Sequence, residues 1–384
     1  MEWIASTAFG LEGPAYRELR KMGIDSAVPQ DIGGVRFEGD ARDGLKANLL
    51  VRSSDRVLMV CAKGEAKTFE DLFQIASNAP WEKWLPKEAR FPVRAQCVRS
   101  QIMSPSDCQA IVKKAIAGRL SRVYKCDWMP EGGATYQVDV SIRRDQVLIC
   151  LDSSGDALNK RGYRTWNGEA PLRETLAASL LSISPWHPGI AFCDPMCGTG
   201  TIAIEAALMA YGRAPGQMRR FAMEDWGILS RTEIASVREE AMRIAQEAGA
   251  EDPIICASDI DQDAVNLAKK HLVQADLAGK VRLNRFDAKD LVLPCEKGVI
   301  VTNPPYGERL GDRQMALRAA ETLGKIWFNN PGWTVCAISS EKGFEEAFGR
   351  KADKRTRLFN GRIACEFMIF TCQNLSNRNG GKRK

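Results

Sequence analysis

The sequence predicts an α/β protein in two parts: an N-terminal α+β half and a C-terminal half built on a mostly parallel, doubly wound sheet. Short strand and helix patterns alternate up to about residue 165. From Gly189 onward, short apolar strands alternate with longer amphipathic helices, which is typical of a parallel sheet. The chain then carries two alternating runs joined by Asn360-Gly361, the strongest short signal for a β-hairpin.

Composition places the chain among ordinary globular proteins. It has 384 residues, of which 45% are hydrophobic, and a net charge of +6. This length suits about two to three domains. A modest positive charge permits nucleic-acid binding without requiring it. The sequence has no apolar run of the roughly 18 residues that a membrane span needs, and its start lacks the features of a secretory leader, so we expect a cytoplasmic protein.

Metal binding is not expected. The twelve cysteines include no CxxC pair, and neither His187 nor His271 lies near a cysteine or carboxylate pattern that suggests a ligand set. In a chain without an export signal, the cysteines are expected to be reduced thiols, mostly in the core.

The N-terminal half is predicted to contain two small α+β units, residues 1–60 and 61–165. In the first unit, the sequence predicts strands at residues 3–7, 35–39 and 57–61 and helices at 13–22 and 43–50. In the second unit, it predicts helices at 69–76 and 108–123, a strand at 91–98, and a hairpin of strands 136–142 and 146–151. Ser106 and Asp107 are the expected caps of the helix at 108–123.

Positive charge is concentrated between residues 90 and 125, where eight arginines and lysines face one acid, Asp107. The predicted helix at 108–123 exposes Lys113, Lys114, Arg119 and Arg122. A charge run of this kind is about as often a solvated helix face as a phosphate-binding surface, so the residues alone leave both interpretations open.

The C-terminal half follows a linker at residues 165–175. Its predicted strands cover residues 190–193, 254–258, 281–286, 298–302 and 333–339, before the hairpin at 354–359 and 362–371. Its predicted helices cover residues 170–183, 202–211, 232–248, 263–274 and 315–328.

A glycine loop follows the first of these strands. It contains Asp194, Cys197, Gly198, Thr199 and Gly200. The glycines let the backbone approach a ligand closely, but the full dinucleotide fingerprint GxGxxG is absent. A carboxylate at Asp194 repels a diphosphate and attracts an amine or a sulfonium. S-adenosylmethionine carries both, so we expect it as the cofactor of this loop.

Two more acids stand at successive strand ends. Asp259 is placed to accept from two ribose hydroxyls, and Asp287 to accept from the adenine amino group. Their neighbours Ile260 and Ala288 are assigned to the same site. Asp261 is expected to cap the next helix, although Asp259 and Asp261 could exchange roles. Acids at three strand ends line the carboxyl edge where such sheets bind ligands.

The strand at residues 298–302 ends in Asn303-Pro304-Pro305-Tyr306. The Asn303 side-chain oxygen and the Pro304 carbonyl can accept the two hydrogens of an amino group on a ring, and Tyr306 can stack on that ring. The alternative is a proline-rich connection in which Tyr306 only packs the strand end. Glu308 and Arg309 could shape the pocket or pair with each other.

The order of strand, basic helix and hairpin, followed by Lys160-Arg161-Gly162-Tyr163-Arg164, resembles a THUMP domain preceded by a ferredoxin-like partner at residues 1–60. THUMP domains are RNA-binding modules of RNA-modifying enzymes. The resemblance therefore implies that RNA is the partner and that phosphates contact Lys113, Lys114, Arg119, Arg161 and Arg164.

Residues 166–373 resemble a Rossmann-like class I methyltransferase with a seven-stranded sheet. Residues 374–384 are polar and basic, and we expect them to form a disordered tail. The motif running from Asn303 to Gly311, with the THUMP-like half, is similar to the RlmL-type 23S rRNA guanine-N2-methyltransferases in a single-domain form. This resemblance implies an enzyme in which Asn303, Pro304 and Tyr306 are catalytic and a guanosine 2-amino group in large-subunit ribosomal RNA is methylated.

Other functions stay open on the sequence. The Asn-Pro-Pro-Tyr motif also occurs in DNA adenine and cytosine amino-methyltransferases and in protein glutamine methyltransferases. The alternatives are a transfer RNA guanine-N2-methyltransferase, a DNA adenine-N6-methyltransferase, and a non-catalytic RNA-binding assembly factor with a vestigial cofactor fold.

Overall fold

A computed structural model describes residues 1–30, 33–164, 172–305 and 310–372 of the chain. Two seven-stranded sheets organise these residues. Three predicted features lie outside the described residues: most of the linker (165–171), the turn from Tyr306 to Arg309, and the C-terminal tail (374–384).

The first sheet forms the N-terminal half. Its strands are β1 (Glu2–Ser6), β2 (Val28–Gln30), β3 (Gly34–Glu38), β4 (Arg56–Glu65), β5 (Val93–Val98), β6 (Val138–Arg143) and β7 (Gln146–Asp152), in the order β2-β3-β1-β4-β7-β6-β5. Its helices are α1 (Glu12–Lys21), α2 (Ala41–Leu50), α3 (Phe69–Asn78) and α4 (Pro105–Tyr124).

Strand β4 joins the two predicted units into one sheet. It pairs antiparallel with β1 on one side and with β7 on the other. The boundary predicted between residues 60 and 61 falls inside this strand, where the register shifts between Val60 and Ala62. The two units therefore share backbone hydrogen bonds and one hydrophobic core.

The basic helix α4 begins one turn earlier than predicted. Its N-cap is Ser104, whose hydroxyl accepts a hydrogen bond from the Asp107 backbone N–H at 3.3 Å. Pro105 occupies the first turn, where its missing N–H is not needed. The prediction that Ser106 and Asp107 cap this helix is therefore wrong. The hairpin after it is confirmed, with both turn residues, Arg144 and Asp145, in the left-handed region.

The second sheet forms the C-terminal half. Its strands are β8 (Phe192–Asp194), β9 (Ile255–Asp259), β10 (Arg282–Arg285), β11 (Gly298–Thr302), β12 (Trp333–Ser339), β13 (Lys354–Asn360) and β14 (Ile363–Phe370), in the order β10-β9-β8-β11-β12-β14-β13. The first five strands pair in parallel, and β14 pairs antiparallel with both β12 and β13. The predicted parallel sheet with a C-terminal antiparallel hairpin is confirmed.

Helices cover both faces of this sheet. They are α5 (Glu174–Ile183), α6 (Thr201–Ala210), α8 (Gln262–Gln274), α9 (Leu310–Asn329) and α10 (Phe344–Phe348), while α7 (Arg231–Glu247) packs elsewhere. One core contains Leu180 of α5 and Ala206 of α6, and a second core on the other face contains Leu323 of α9 and Phe344 of α10. This layering confirms the predicted doubly wound α/β class.

An excursion from the C-terminal half packs on the N-terminal half. Helix α7 lies against α2, where Lys46 and Glu240 form an ion pair of 2.7 Å. Trp226, just before α7, stacks on Tyr136 with ring centroids 5.1 Å apart and donates its indole N–H to the Thr135 carbonyl at 3.0 Å. The sequence predicted the α7 helix as part of the alternating C-terminal pattern, so its packing partner is a finding of the structure.

Among the described residues, no helix is both long enough and apolar enough to cross a membrane. The twelve cysteines are all free thiols.

Replacing Trp226 by alanine should lower the free energy of unfolding by about 3–5 kcal/mol, because a buried tryptophan leaves a cavity when it is truncated. Trp226→Phe should lose less, because it keeps an aromatic ring against Tyr136. Chemical denaturation followed by circular dichroism measures both. Trp128→Ala is the matched control: Trp128 is 81% exposed on the N-terminal half, and its loss should change the free energy of unfolding by less than about 0.5 kcal/mol. Equal losses at the two positions would contradict the packing role of Trp226.

Candidate active site

The carboxyl edge of the second sheet brings most of the predicted site residues together. Strand β8 ends at Asp194, β9 ends at Asp259, and β11 ends at Thr302, one residue before Asn303. These strands are parallel neighbours in the order β9-β8-β11. Their ends therefore meet along one edge, with Asp194 in the middle.

Asp194 is buried at the centre of this edge, with 1% of its surface exposed. Its Oδ1 accepts hydrogen bonds from the Thr302 hydroxyl at 2.7 Å and from the Met196 backbone N–H at 3.3 Å. Burial raises the pKa of Asp194 to about 7, because the carboxylate has lost its water while only two donors replace it.

The two glycines of the loop have different roles. Gly200 has φ +85° and begins α6, and a Cβ there would lie 3.1 Å from the Cβ of Ala268 on α8. Gly200 therefore permits α6 and α8 to pack closely. Gly198 has φ +52°, and a Cβ there would meet nothing within 4 Å. The outer side of the loop at Gly198 is open to a ligand.

The loop is held from both neighbouring elements. The Cys197 backbone N–H donates to the Ser258 carbonyl on β9 at 2.9 Å. The Thr199 carbonyl lies 3.1 Å from Nδ1 of His271 on α8, a buried histidine that was not predicted as part of this site. These contacts fix the loop that is predicted to hold the cofactor.

Asp259 ties the loop to the end of β9. Its Oδ2 accepts from the Gly198 backbone N–H at 2.7 Å, and its Oδ1 accepts from the Asp261 backbone N–H at 3.0 Å. A carboxylate has about four acceptor directions, so two stay available for ribose hydroxyls. Asp261 accepts from the Asp263 N–H at 2.8 Å and is the N-cap of α8, which confirms its predicted capping role.

Asp287 and Ala288 lie just beyond β10 at the outer end of the same edge. The Asp287 carboxylate accepts from the Lys289 backbone N–H at 3.1 Å, and that hydrogen bond, with the Lys289 ammonium at 3.2 Å, holds the pKa of Asp287 below its usual value. The carboxylate thus stays ionised as an acceptor. Ile260 leaves an apolar side chain exposed at the end of β9, and Ala288 is buried.

Asn303 presents a buried acceptor. Among the residues that the structure describes, its Oδ1 has no hydrogen-bond partner. A buried acceptor without a donor costs about 1–3 kcal/mol, so the site favours a ligand that brings an N–H or O–H group. Pro304 beside it is buried and lacks an N–H. Tyr306, Glu308 and Arg309 lie outside the described residues, and the predicted stacking by Tyr306 stays a prediction.

The predicted RNA contact at Arg161 is corrected by the structure. Arg161 is 4% exposed, and its guanidinium donates to the carbonyls of Leu158 at 2.8 Å and Arg52 at 2.5 Å. Its Nε lies 3.5 Å from Oε1 of Glu205 on α6. A side chain buried in this way has little surface to offer a phosphate.

Arg164 is likewise turned inward. It pairs with Glu174 at 3.2 Å and donates to the hydroxyl of Thr201, the first residue of α6. Together, Arg161 and Arg164 hold the helix that begins at the glycine loop. The sequence contained one signal for this: Glu205 interrupts the otherwise apolar run of α6, and a buried carboxylate needs a cation or a donor.

The three predicted contacts on α4 differ from one another. Arg119 donates from Nε and from Nη2 to the two carboxylate oxygens of Glu82, each at 2.7 Å, and these hydrogen bonds lower the pKa of Glu82 to about 2. Lys113 pairs with Glu131 at 3.1 Å. Lys114 is exposed and has no ion pair among the described residues. Only Lys114 is thus unengaged, and phosphate binding by this set stays a prediction.

Comparison with known families gives three matches along the chain. The family described as RMKL-like, methyltransferase domain, matches residues 161–369. The RlmL ferredoxin-like domain matches residues 2–58, and the THUMP domain matches residues 66–152.

Individual relatives agree with these matches. The chain is 42% identical to "Putative RNA methyltransferase YpsC" of Bacillus subtilis, over 95% of this chain and 94% of that protein. It is 34% identical to "Ribosomal RNA large subunit methyltransferase K/L" of Magnetococcus marinus, over 96% of this chain but 52% of that protein, and so spans about half of that relative's length. The crystal structure of SMU.472 complexed with SAH has a TM-score of 0.90 and 34% identity, over 97% of this chain and 98% of that one.

Asp259→Ala should weaken binding of the predicted cofactor, S-adenosylmethionine, by about 1–3 kcal/mol, because a charged acceptor and the tie to Gly198 are both lost. Asp261→Ala is the matched control, since it removes only a helix cap and should cost about 1 kcal/mol of stability without changing cofactor affinity. Isothermal titration calorimetry on both variants decides the assignment. The reverse pattern would make Asp261 the ribose acceptor.

Cofactor affinity should also depend on pH through Asp194. Below its pKa of about 7 the carboxyl is protonated and neutral, so its attraction for the amine or sulfonium is lost. Affinity should fall roughly tenfold as pH drops from about 7.5 to 6. Asp287 stays ionised over this range because its pKa is lowered. Asp194→Asn should bind more weakly with a flat profile, and a flat profile for the parent protein would contradict the role of Asp194.

Proposed function

The chain belongs to the RMKL-like methyltransferase family, and we propose that it methylates the exocyclic 2-amino group of a guanosine in large-subunit ribosomal RNA. Its cofactor is S-adenosylmethionine. The observation that carries the amine assignment is the buried, unpartnered Oδ1 of Asn303 at the edge that also holds the glycine loop. The match of residues 66–152 to the THUMP domain and the names of the relatives support an RNA substrate. A ribosomal RNA target implies a cytoplasmic enzyme.

The residues at the carboxyl edge fit this cofactor. The open side of Gly198 leaves room for it, Asp259 keeps two acceptor directions for ribose hydroxyls, and Asp287 is an ionised acceptor for the adenine amino group. Asp194 supplies a carboxylate near the amine or the sulfonium. When bound, S-adenosylmethionine supplies an electrophilic methyl group on a positively charged sulfur.

Asn303 and Pro304 orient the amino group of the base. The Asn303 Oδ1 and the Pro304 carbonyl each accept one N–H, which fixes the plane of the amine. The nitrogen lone pair is delocalised into the ring, and holding both hydrogens favours the pyramidal geometry in which that lone pair can attack. The methylated nitrogen is cationic and loses a proton readily to water. The chain therefore needs no strong base at this position.

The amine geometry alone does not separate guanine from adenine, since an adenine N6 amino group offers the same two hydrogens. The THUMP match favours RNA over DNA as the substrate. Relatives named for the large ribosomal subunit favour ribosomal over transfer RNA.

Asn303→Ala should leave RNA affinity nearly constant while single-turnover methylation falls by ~100-fold or more, because the lost acceptor acts mainly in the transition state. The exposed Asn266→Ala on α8 is the control and should methylate at the parent rate. Parent-like methylation by Asn303→Ala would rule out this motif as the amine site.

The same variant tests the target in cells. A deletion strain should lack one N2-methylguanosine in large-subunit ribosomal RNA, measured by mass spectrometry of nucleosides. The parent gene should restore it and Asn303→Ala should not. Loss of N2-methylguanosine from transfer RNA, or of N6-methyladenine from DNA, would replace the proposed target.

A further inference from the structure

An exposed tryptophan stands on the N-terminal half, in the loop between α4 and β6 (residues 125–137). The side chain of Trp128 is 81% exposed. Tryptophans usually bury most of their surface, as Trp3 and Trp81 do in the same half. Trp128 is the one tryptophan among the exposed large hydrophobic residues that the structure describes, and an exposed indole offers a flat face for stacking.

The residues on both sides of Trp128 are anchored to the N-terminal half, and Trp128 itself points outward. The Cys126 backbone N–H donates to the Ser121 carbonyl at 3.2 Å. The next residue after Trp128, Met129, is buried in the N-terminal core. Glu131 forms an ion pair of 3.1 Å with Lys113. The indole is thus presented by an anchored segment.

These contacts also place Trp128 beside the basic helix. Lys113 and Lys125 are twelve residues apart on and at the end of α4, which is roughly 18 Å along a helix axis. The Glu131 carboxylate nevertheless reaches the Lys113 ammonium at 3.1 Å, so the segment from Lys125 to Glu131 returns toward the middle of α4. Trp128 lies within this returning segment, three residues after Lys125.

Helix α4 and its C-cap carry exposed positive charge. Lys114, Arg122 and Lys125 are exposed, and among the described residues none of them makes an ion pair. The acids nearby in sequence are Asp127, which is exposed, and Glu131, which Lys113 neutralises. An exposed aromatic ring with cations beside it is the arrangement that binds a nucleobase and its flanking phosphates.

We propose that Trp128 stacks on an unpaired base of the RNA substrate, with Lys114, Arg122 and Lys125 contacting the adjacent phosphates. This inference rests on the proposed RNA methyltransferase function. Stacking needs a free base face, which a loop or single strand offers and the interior of a duplex does not. The contact is therefore specific for unpaired RNA and tolerant of its sequence.

The test measures binding of two fluorescent probes by anisotropy: a single-stranded RNA of about 12 adenosines and an RNA duplex of about 12 base pairs, each over a salt series. Trp128→Ala should weaken single-strand binding by about 10- to 100-fold with an unchanged salt slope, because the lost contact is uncharged. Lys114→Ala should instead reduce the log–log slope by a little under one unit. Trp128→Phe should recover part of the affinity. Phe359→Ala, an exposed aromatic of the other half, is the control and should bind like the parent.

The outcomes separate this inference from the function on which it rests. Parent-like binding of single-stranded RNA by Trp128→Ala overturns the stacking role and leaves the methyltransferase function standing, and a shift in sedimentation of that variant would then assign Trp128 to a protein contact. Equal losses on single strand and duplex overturn the preference for unpaired bases. If the parent protein binds neither probe nor purified large-subunit ribosomal RNA, the RNA function and the stacking role both fail.

Discussion

A hydrogen bond of 2.7 Å from the Thr302 hydroxyl to the Asp194 carboxylate joins the two central strands of the C-terminal sheet. Both side chains are buried. Strand β8 leads from Asp194 into the glycine loop, and β11 leads from Thr302 into Asn303. This hydrogen bond joins the two strand ends through their side chains. It therefore fixes the distance between the loop that is expected to hold the cofactor and the acceptor that is expected to hold the amine. A reaction between two bound groups depends on such a separation.

A buried polar network extends this constraint to the N-terminal half. Glu205 on α6 accepts a hydrogen bond from the Tyr163 hydroxyl at 3.0 Å and faces Arg161, which in turn donates to the carbonyl of Arg52, two residues after α2. Breaking one partner of such a set would leave a buried charge uncompensated, which is costly. The helix behind the glycine loop is thus held by residues that contact both halves of the chain, and the two halves meet in packed contacts near the site.

The sequence predicted best those elements whose residues alone determine them. Strands β11 and β12 were predicted to the residue, because a buried parallel strand is a continuous apolar run with clear ends. The Asn360-Gly361 hairpin was equally clear, since Gly361 supplies the positive φ of the turn. Strand β2 was missed, because it is a three-residue, mostly exposed strand that contains a proline and has no apolar pattern.

In the site, the positions of the acids at the strand ends could be predicted from the alternation of strands and helices. The burial of Arg161 and Arg164 could not be predicted in this way, because a sequence pattern shows which residues are charged but not which residues pack over them.

The packing of α7 on α2 bears on how the proposed substrate would be oriented. Trp226, Phe221 and Met223 come from the C-terminal half but complete the N-terminal core. A flexible connection between two domains would let an RNA-binding module occupy many positions relative to the site. In this protein, two further connections join the halves besides the linker. They are the packing of Trp226, Phe221 and Met223 in the N-terminal core and the Arg161–Glu205 contact, and both are buried. An RNA held on the N-terminal sheet would therefore reach Asn303 from one fixed direction. The choice of nucleotide then depends on the shape of the folded RNA between those two points, as well as on the base that enters the site.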